Sequence, residues 1–322
     1  MILSKEALSE IAFGCIETTE DPDGFFSFHR LTKHQRDHLD RRGFTPRQYA
    51  TAGVFLEVHG AVKRLSFSYD LSLGSSRIYP YADVCENGKL KKTVTFVMSP
   101  LTGTFSYEPE ESGRLTVWFP NLMKFRIKDV EIEGDYSPGK RERKVLFAGD
   151  SITQGYDSVR PSLSYANRLT EYFQMDPLNQ AIGGDILDPG NLDPELPFRP
   201  ETVFVAYGTN DWSGEHDFTA RSDQFLYKLK RILPDASVYV ILPIWRGEAV
   251  GAERNGMTLD DCREVLRRTA LRYGYEAVNG KELVPHEAEL YADDRVLHPN
   301  EEGFGYYAAN LIKYLESRGF QK

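Results

Sequence analysis

Three side chains suited to acyl transfer lie far apart in this sequence: the hydroxyl of Ser151 in GDSITQG, the amide of Asn210 in YGTND and the imidazole of His298 in LHPN. A glycine pair, Gly183 and Gly184, falls between the first two in NQAIGGD. Together they supply a nucleophile, a general base and donors for a developing oxyanion. Each alone has a plainer reading. A strand feeding a Gly-Asp-Ser turn and then a helix exposes backbone N–H groups, so Ser151 fits a helix cap or an anion-holding loop as well as a nucleophile. His298 could serve the last helix through its neighbour Asn300, and Asn210 could be a turn residue at a strand end. GDSITQG lacks the Gly-Lys-Ser/Thr ending of a phosphate loop, and its glycines do not match a dinucleotide fingerprint.

Whether these groups meet depends on the elements that carry them. KVLFAG, DPLNQAIG, ETVFVAYG, SVYVILPI and YEAVNG are short apolar runs of the kind that fill a parallel sheet buried on both faces. Between them SLSYANRLTEYFQ, DFTARSDQFLYKLKRIL and TLDDCREVLRRTALRYG repeat apolar residues at helical spacing, and NEEGFGYYAANLIKYLESRG closes the chain in the same way. Strand and helix alternate, which predicts a doubly wound α/β layer with its site at the carboxyl ends of the strands. Ser151 follows the first strand, Gly183 and Gly184 the second, and Asn210 with Asp211 the third. His298 sits in the loop before the final helix. All four blocks therefore share one rim, and Asp150 and Asp211 are expected to brace loop N–H groups there.

Residues 1–138 read differently. GVFLEV, RLSFSYDLSL, KTVTFVMS, GRLTVWFP and FRIKDVEIEG alternate apolar and polar residues, with turn clusters such as ENGK and EESGR between them. Strands following one another without intervening helices predict an all-β sandwich or jelly roll. GDYSPGKRERK then serves as the linker to a second domain over 143–322. At 322 residues with 41% hydrophobic content the chain can bury two cores. The net charge of −9, with acids and bases interspersed, argues against a nucleic acid partner or an anionic membrane surface. No signal-peptide pattern or membrane-spanning run is present, and Cys15, Cys85 and Cys262 form no CxxC pair, so reduced thiols in the cytoplasm are expected. His34 and His38 in HQRDH stand one helical turn apart, but without a third ligand they read as exposed helix histidines.

The four blocks GDSI, NQAIGGD, GTND and LHPN occur in the order of the SGNH hydrolases of the GDSL esterase family, which residues 143–322 resemble. The resemblance implies a three-layer, flavodoxin-like α/β fold and a serine esterase that forms an acyl-enzyme without metal or cofactor. Ser151 would attack, His298 would move the proton, and the oxyanion would be held by the N–H groups of Ser151 and Gly184 and the amide of Asn210, with Gly183 as the fallback glycine. Small acyl esters, including acylated sugars, are the expected substrates. A thioesterase or lipase on the same machinery is one alternative, although no strongly apolar lid segment is visible. A carbohydrate-binding protein with an inactive core is another, against which the intact Ser151, Asn210 and His298 speak. Trp245 and Arg246, in the long loop after the fourth strand, either line the substrate pocket or fasten that loop to the β-sandwich. The sequence departs from the family at the acid that orients the histidine. The residue three before His298 is Arg295, so Asp294 is the expected partner, ahead of a backbone carbonyl and of Asp293.

Overall fold

The computed structural model describes residues 2–97, 102–214, 217–292 and 296–321. From residue 144 onward it contains the predicted alternation. Five parallel strands lie in the order Asp176–Asn179, Lys144–Gly149, Thr202–Ala206, Ser237–Ile241, Glu276–Val278. In chain order this is 2-1-3-4-5, the flavodoxin-like arrangement, whose crevice opens at the carboxyl ends beside the first strand. Successive side chains of the strand Lys144–Gly149 enter opposite cores. Val145 and Phe147 pack with the helices Tyr165–Phe173 and Glu301–Ser317, whereas Leu146 and Ala148 pack with Phe218–Ile232 and Leu259–Arg272. A period of two along a strand with both faces covered gives the unbroken apolar runs of the sequence.

The front of the chain is antiparallel. The strand Phe55–Leu73 pairs along nearly its whole length with Met123–Pro138, through register shifts between Val62 and Arg64 and between Ser66 and Ser68. Its other edge pairs first with Gly113–Trp118 and then with Thr102–Tyr107. Two successive partners and two irregularities bend the sheet around a core rich in phenylalanine, where Phe67 stacks on Phe105 at 4.5 Å between ring centres and Phe119 meets Phe125 at 4.9 Å.

Two features add to the sequence reading. Helices Lys5–Ile11 and Lys33–Arg41 interrupt the front strands. The second opens on a capping box between Thr32 and Gln35 and turns Leu39 and Gln35 inward, so packing holds a short and very polar helix. The segment GDYSPGKRERK exposes many of its side chains yet is anchored to both halves. Pairing continues through Val58 and Pro138, and Arg141 is buried on Glu57 while also donating to the carbonyls of Thr170 and Met175. Among the described residues no helix is long and apolar enough to cross a membrane.

Candidate active site

The strand Lys144–Gly149 delivers the chain into a single helical turn, Ser151–Gln154. Asp150 caps it by accepting the Ile152 N–H at 3.0 Å, and Gly155 ends it in the left-handed region at φ 97°. As the first helical residue, Ser151 presents an N–H with no partner within its own helix. Its Oγ lies 2.8 Å from His298 Nε2. Ser151 is 4% exposed and His298 8%, so bulk water is largely excluded from this hydrogen bond.

The glycine block follows the strand Asp176–Asn179. Gly183 donates its N–H to Gln154 Oε1 at 2.6 Å, which occupies that donor. Gly184 is the next residue, with φ 83°, a backbone state that disfavours any side chain. A Cβ there would also come within 2.9 Å of the Arg47 guanidinium. Asn210 gives one amide hydrogen to the Asp185 carbonyl at 2.9 Å, which sets its rotamer and leaves the second hydrogen to point elsewhere. Asp211 accepts the Leu187 N–H at 3.1 Å and ties the asparagine block to the glycine block.

His298 is held by the loop around it. Its carbonyl accepts from Ala292 N–H at 2.9 Å, Tyr291 bridges to Pro299, and Asn300 caps the last helix through the N–H groups of Glu302 and Gly303. The Tyr156 ring stacks on the imidazole at 5.5 Å between centres. His298 Nδ1 lies 3.2 Å from Oδ2 of Asp157, a residue the sequence reading passed over. Asp294 and Asp293 lie outside the described residues. Burial works to raise the Asp157 carboxyl, but hydrogen bonds from His298, Arg77 and Tyr79 outweigh it and hold the group well below the usual carboxylate range. An ionised carboxylate only accepts, so the proton of a neutral imidazole belongs on Nδ1, and Nε2 is left to accept from Ser151.

Trp245 and Arg246 are engaged by the protein itself. Trp245 packs against His286 and Tyr291. Arg246 donates to the Thr209 carbonyl at 2.8 Å and to Ser213 Oγ at 3.2 Å, pairs with Glu248 and lies over the Trp212 ring. Both thus hold loops beside the asparagine and histidine blocks. His38 meets Asp188 at 3.0 Å while His34 is exposed. Further supports went unread. Arg30 is buried and donates to Ala50, Asn179 and Ala181 carbonyls, Arg42 pairs with Asp185 at 2.8 Å, and Arg47 donates to the Gly183 carbonyl. The arginines reach across from the front of the chain, a contact that no local spacing encodes.

A serine hydroxyl bonded to an oriented imidazole, beside backbone and amide donors, can attack a carbonyl and stabilise the resulting oxyanion. Residues 147–305 match the model of the GDSL-like lipase/acylhydrolase family. No curated protein compared with the chain matches it. Among solved structures, the salicylyl-acyltransferase SsfX3 from a tetracycline biosynthetic pathway is similar at 20% identity and a TM-score of 0.78, over 96% of this chain and 94% of that one. A family two carbohydrate esterase from Cellvibrio japonicus is similar at 18% identity and 0.62, over 97% and 96%. An acetyl xylan esterase from the rumen bacterium Butyrivibrio proteoclasticus is similar at 16% and 0.58, over 85% and 91%. At these identities the likeness is one of fold, and it extends over the β-sheet front as well as the α/β layer.

Proposed function

Because residues 147–305 belong to the GDSL-like lipase/acylhydrolase family and the chain is accordingly an ester-hydrolysing enzyme, we propose that it cleaves small acyl esters through an acyl-enzyme on Ser151. The observation that carries this reading is the 2.8 Å contact between Ser151 Oγ and His298 Nε2. His298 takes the hydroxyl proton as Oγ attacks the ester carbonyl, then returns it to the departing alcohol. The tetrahedral oxyanion accepts from the N–H groups of Ser151 and Gly184 and from the second amide hydrogen of Asn210. Such preorganised donors are worth roughly 2.7–4 kcal/mol each in the transition state. Water then enters on the acyl-enzyme, with His298 as base, and releases the acid.

We take the alcohol to be a sugar or similar polyol, on the likeness to esterases of carbohydrates. The same acyl-enzyme supports transfer to an acceptor alcohol in place of water, the second reading, for which the likeness to an acyltransferase speaks. The free thiols Cys15, Cys85 and Cys262 suit a reducing, cytoplasmic setting. The test is a panel of p-nitrophenyl esters of increasing chain length run beside acetylated sugars, with and without added polyols. Ser151→Ala should lower kcat by about six orders of magnitude, and a fluorophosphonate should label Ser151 in the unmodified protein. A folded, active Ser151→Ala variant would remove the nucleophile assignment.

A further inference from the structure

We propose that Asp157 is the positioning carboxylate of His298, and that the β-sheet front of the chain holds it in place through Arg77 and Tyr79. The proposal rests on the Ser151–His298 reading above and adds to it the group that fixes the ring. Asp157 comes six residues after the nucleophile, outside all four blocks. The chain reaches it by two left-handed residues, Gly155 at φ 97° and Asp157 itself at φ 63°. Aspartate tolerates this region better than most residues, yet it is uncommon for a side chain and persists where the surroundings enforce it.

The surroundings are specific. Arg77 Nε and Tyr79 Oη donate to Oδ1 at 2.9 and 2.8 Å, while Arg77 donates a second N–H to Oδ2 at 3.3 Å beside His298 Nδ1 at 3.2 Å. All four acceptor sites of the carboxylate are filled, and its side chain is 5% exposed. A planar guanidinium gripping both oxygens fixes the plane of the carboxylate, and the carboxylate in turn fixes the plane of the imidazole. Arg77 and Tyr79 lie between the strands Phe55–Leu73 and Tyr81–Glu86, so the loop that holds the acid belongs to the antiparallel half. Arg77 also lies over the Tyr156 ring that stacks on His298.

The arrangement sets the histidine's proton affinity from two sides. Groups that face the ring include Ser151 at Nε2, Asp157 at Nδ1, the Tyr156 ring and the Asp150 carboxyl at the nucleophile turn, with Arg77 and Tyr79 behind Asp157. Asp157 favours the imidazolium formed during attack. Arg77 opposes it, being a second cation on the same carboxylate. Removing the two groups should therefore move the acid limb of kcat/KM in opposite directions, which a purely structural bridge would not do.

The experiment is the pH profile of kcat/KM on a p-nitrophenyl ester for the full chain and for Asp157→Asn, Arg77→Gln, Arg77→Lys and Asp294→Asn. Asp157→Asn should lower kcat by about 10³–10⁴ with KM nearly constant, because the wrong tautomer is favoured, and should move the acid limb to lower pH. Arg77→Gln should cost roughly tenfold in kcat, a change of about 1.4 kcal/mol, and move the limb to higher pH, whereas Arg77→Lys should return the limb towards its original position. Arg77→Gln leaves the catalytic half unaltered and answers the question if Asp157→Asn fails to fold. A folded Asp157→Asn variant within tenfold of the unmodified kcat, with an unmoved limb, overturns the proposal, as does a collapse seen with Asp294→Asn and not with Asp157→Asn. Should Ser151→Ala remain active, the hydrolase reading itself fails; Ser151→Ala inactive beside an unaffected Asp157→Asn defeats the present proposal alone.

Discussion

The antiparallel front and the α/β rear of this molecule contribute different kinds of group to one site. The rear supplies short polar groups on loops at the carboxyl ends of its strands: Ser151, Gly184, Asn210 and His298. The front supplies long ones. Arg30, Arg42, Arg47 and Arg77 all reach across to the loops of the rear, where they hold the carbonyls of Asn179, Ala181 and Gly183 and the carboxylates of Asp185 and Asp157. Within the rear, Arg246 gives comparable help to Thr209 and Arg263 to the carbonyls of Pro243 and Ile244. A parallel sheet places reactive groups on one rim, and a planar five-donor fork can restrain several backbone acceptors of the loops there at once. The difference teaches that the groups proposed to do the chemistry and the groups fixing their position need not come from the same layer.

The division can be broken from either side. The largest effect should come from the rear. Asn210→Ala is expected to lower kcat by about 10²–10³ with little change in KM, since the amide matters most once charge develops on the carbonyl oxygen. Steady-state kinetics on p-nitrophenyl acetate decide it, and a raised KM at constant kcat would make Asn210 a ground-state contact. A smaller effect should come from the front. Arg47→Ala removes the guanidinium that holds the Gly183 carbonyl and lies against Gly184, and should cost about tenfold in kcat, or ~1.4 kcal/mol, with the circular dichroism spectrum unchanged. An unaltered rate would mean the glycine turn is rigid without help from the front.

The smallest effect concerns stability. Burial, reinforced by the charges of Asp211 and Asp185, raises the Asp150 carboxyl from 3.8 to about 7 against the cap hydrogen bond from Ile152. Between those values the folded protein binds a proton that the unfolded chain has released, so a contribution present at low pH is lost as pH rises through that window. Asparagine caps a helix as well as aspartate does. Asp150→Asn should therefore raise Tm by a few degrees at pH 8, with the gain shrinking towards pH 5. An equal gain at both values would assign the effect to something other than ionisation.

Much of the rear was legible in the sequence because its signals are local. Each parallel strand is a short apolar run, the serine, glycine and asparagine blocks sit just past the strands that carry them, and the histidine block sits just before the last helix. The front was legible as strands, and the helix Lys33–Arg41 only through the spacing of His34 and His38, since it is too short and too polar to show an apolar stripe, and its inward Leu39 and Gln35 find their partners far along the chain. Arg246 left two readings open for a related reason: a cation in a rim loop looks the same whether it awaits a substrate or holds Thr209. Asp157 escaped because its position depends on two left-handed residues and on a loop eighty residues earlier, neither of which leaves a pattern at Asp157 itself.

The junction between the halves bears on how such chains can be recombined. Glu57 and Arg141 form an ion pair whose side chains are both wholly shielded from solvent, and the same guanidinium reaches the end of the helix Tyr165–Phe173 through Thr170. Breaking a pair of this kind from one side leaves an uncompensated charge in a dry place, at a cost of about 3–5 kcal/mol. A chimera that joins this front to a relative's rear therefore inherits a debt unless Glu57, Arg141 and the carbonyls around them travel as a set. Evolution by exchange of modules is restricted at this seam to exchanges that keep both partners, and the two halves should melt in one transition.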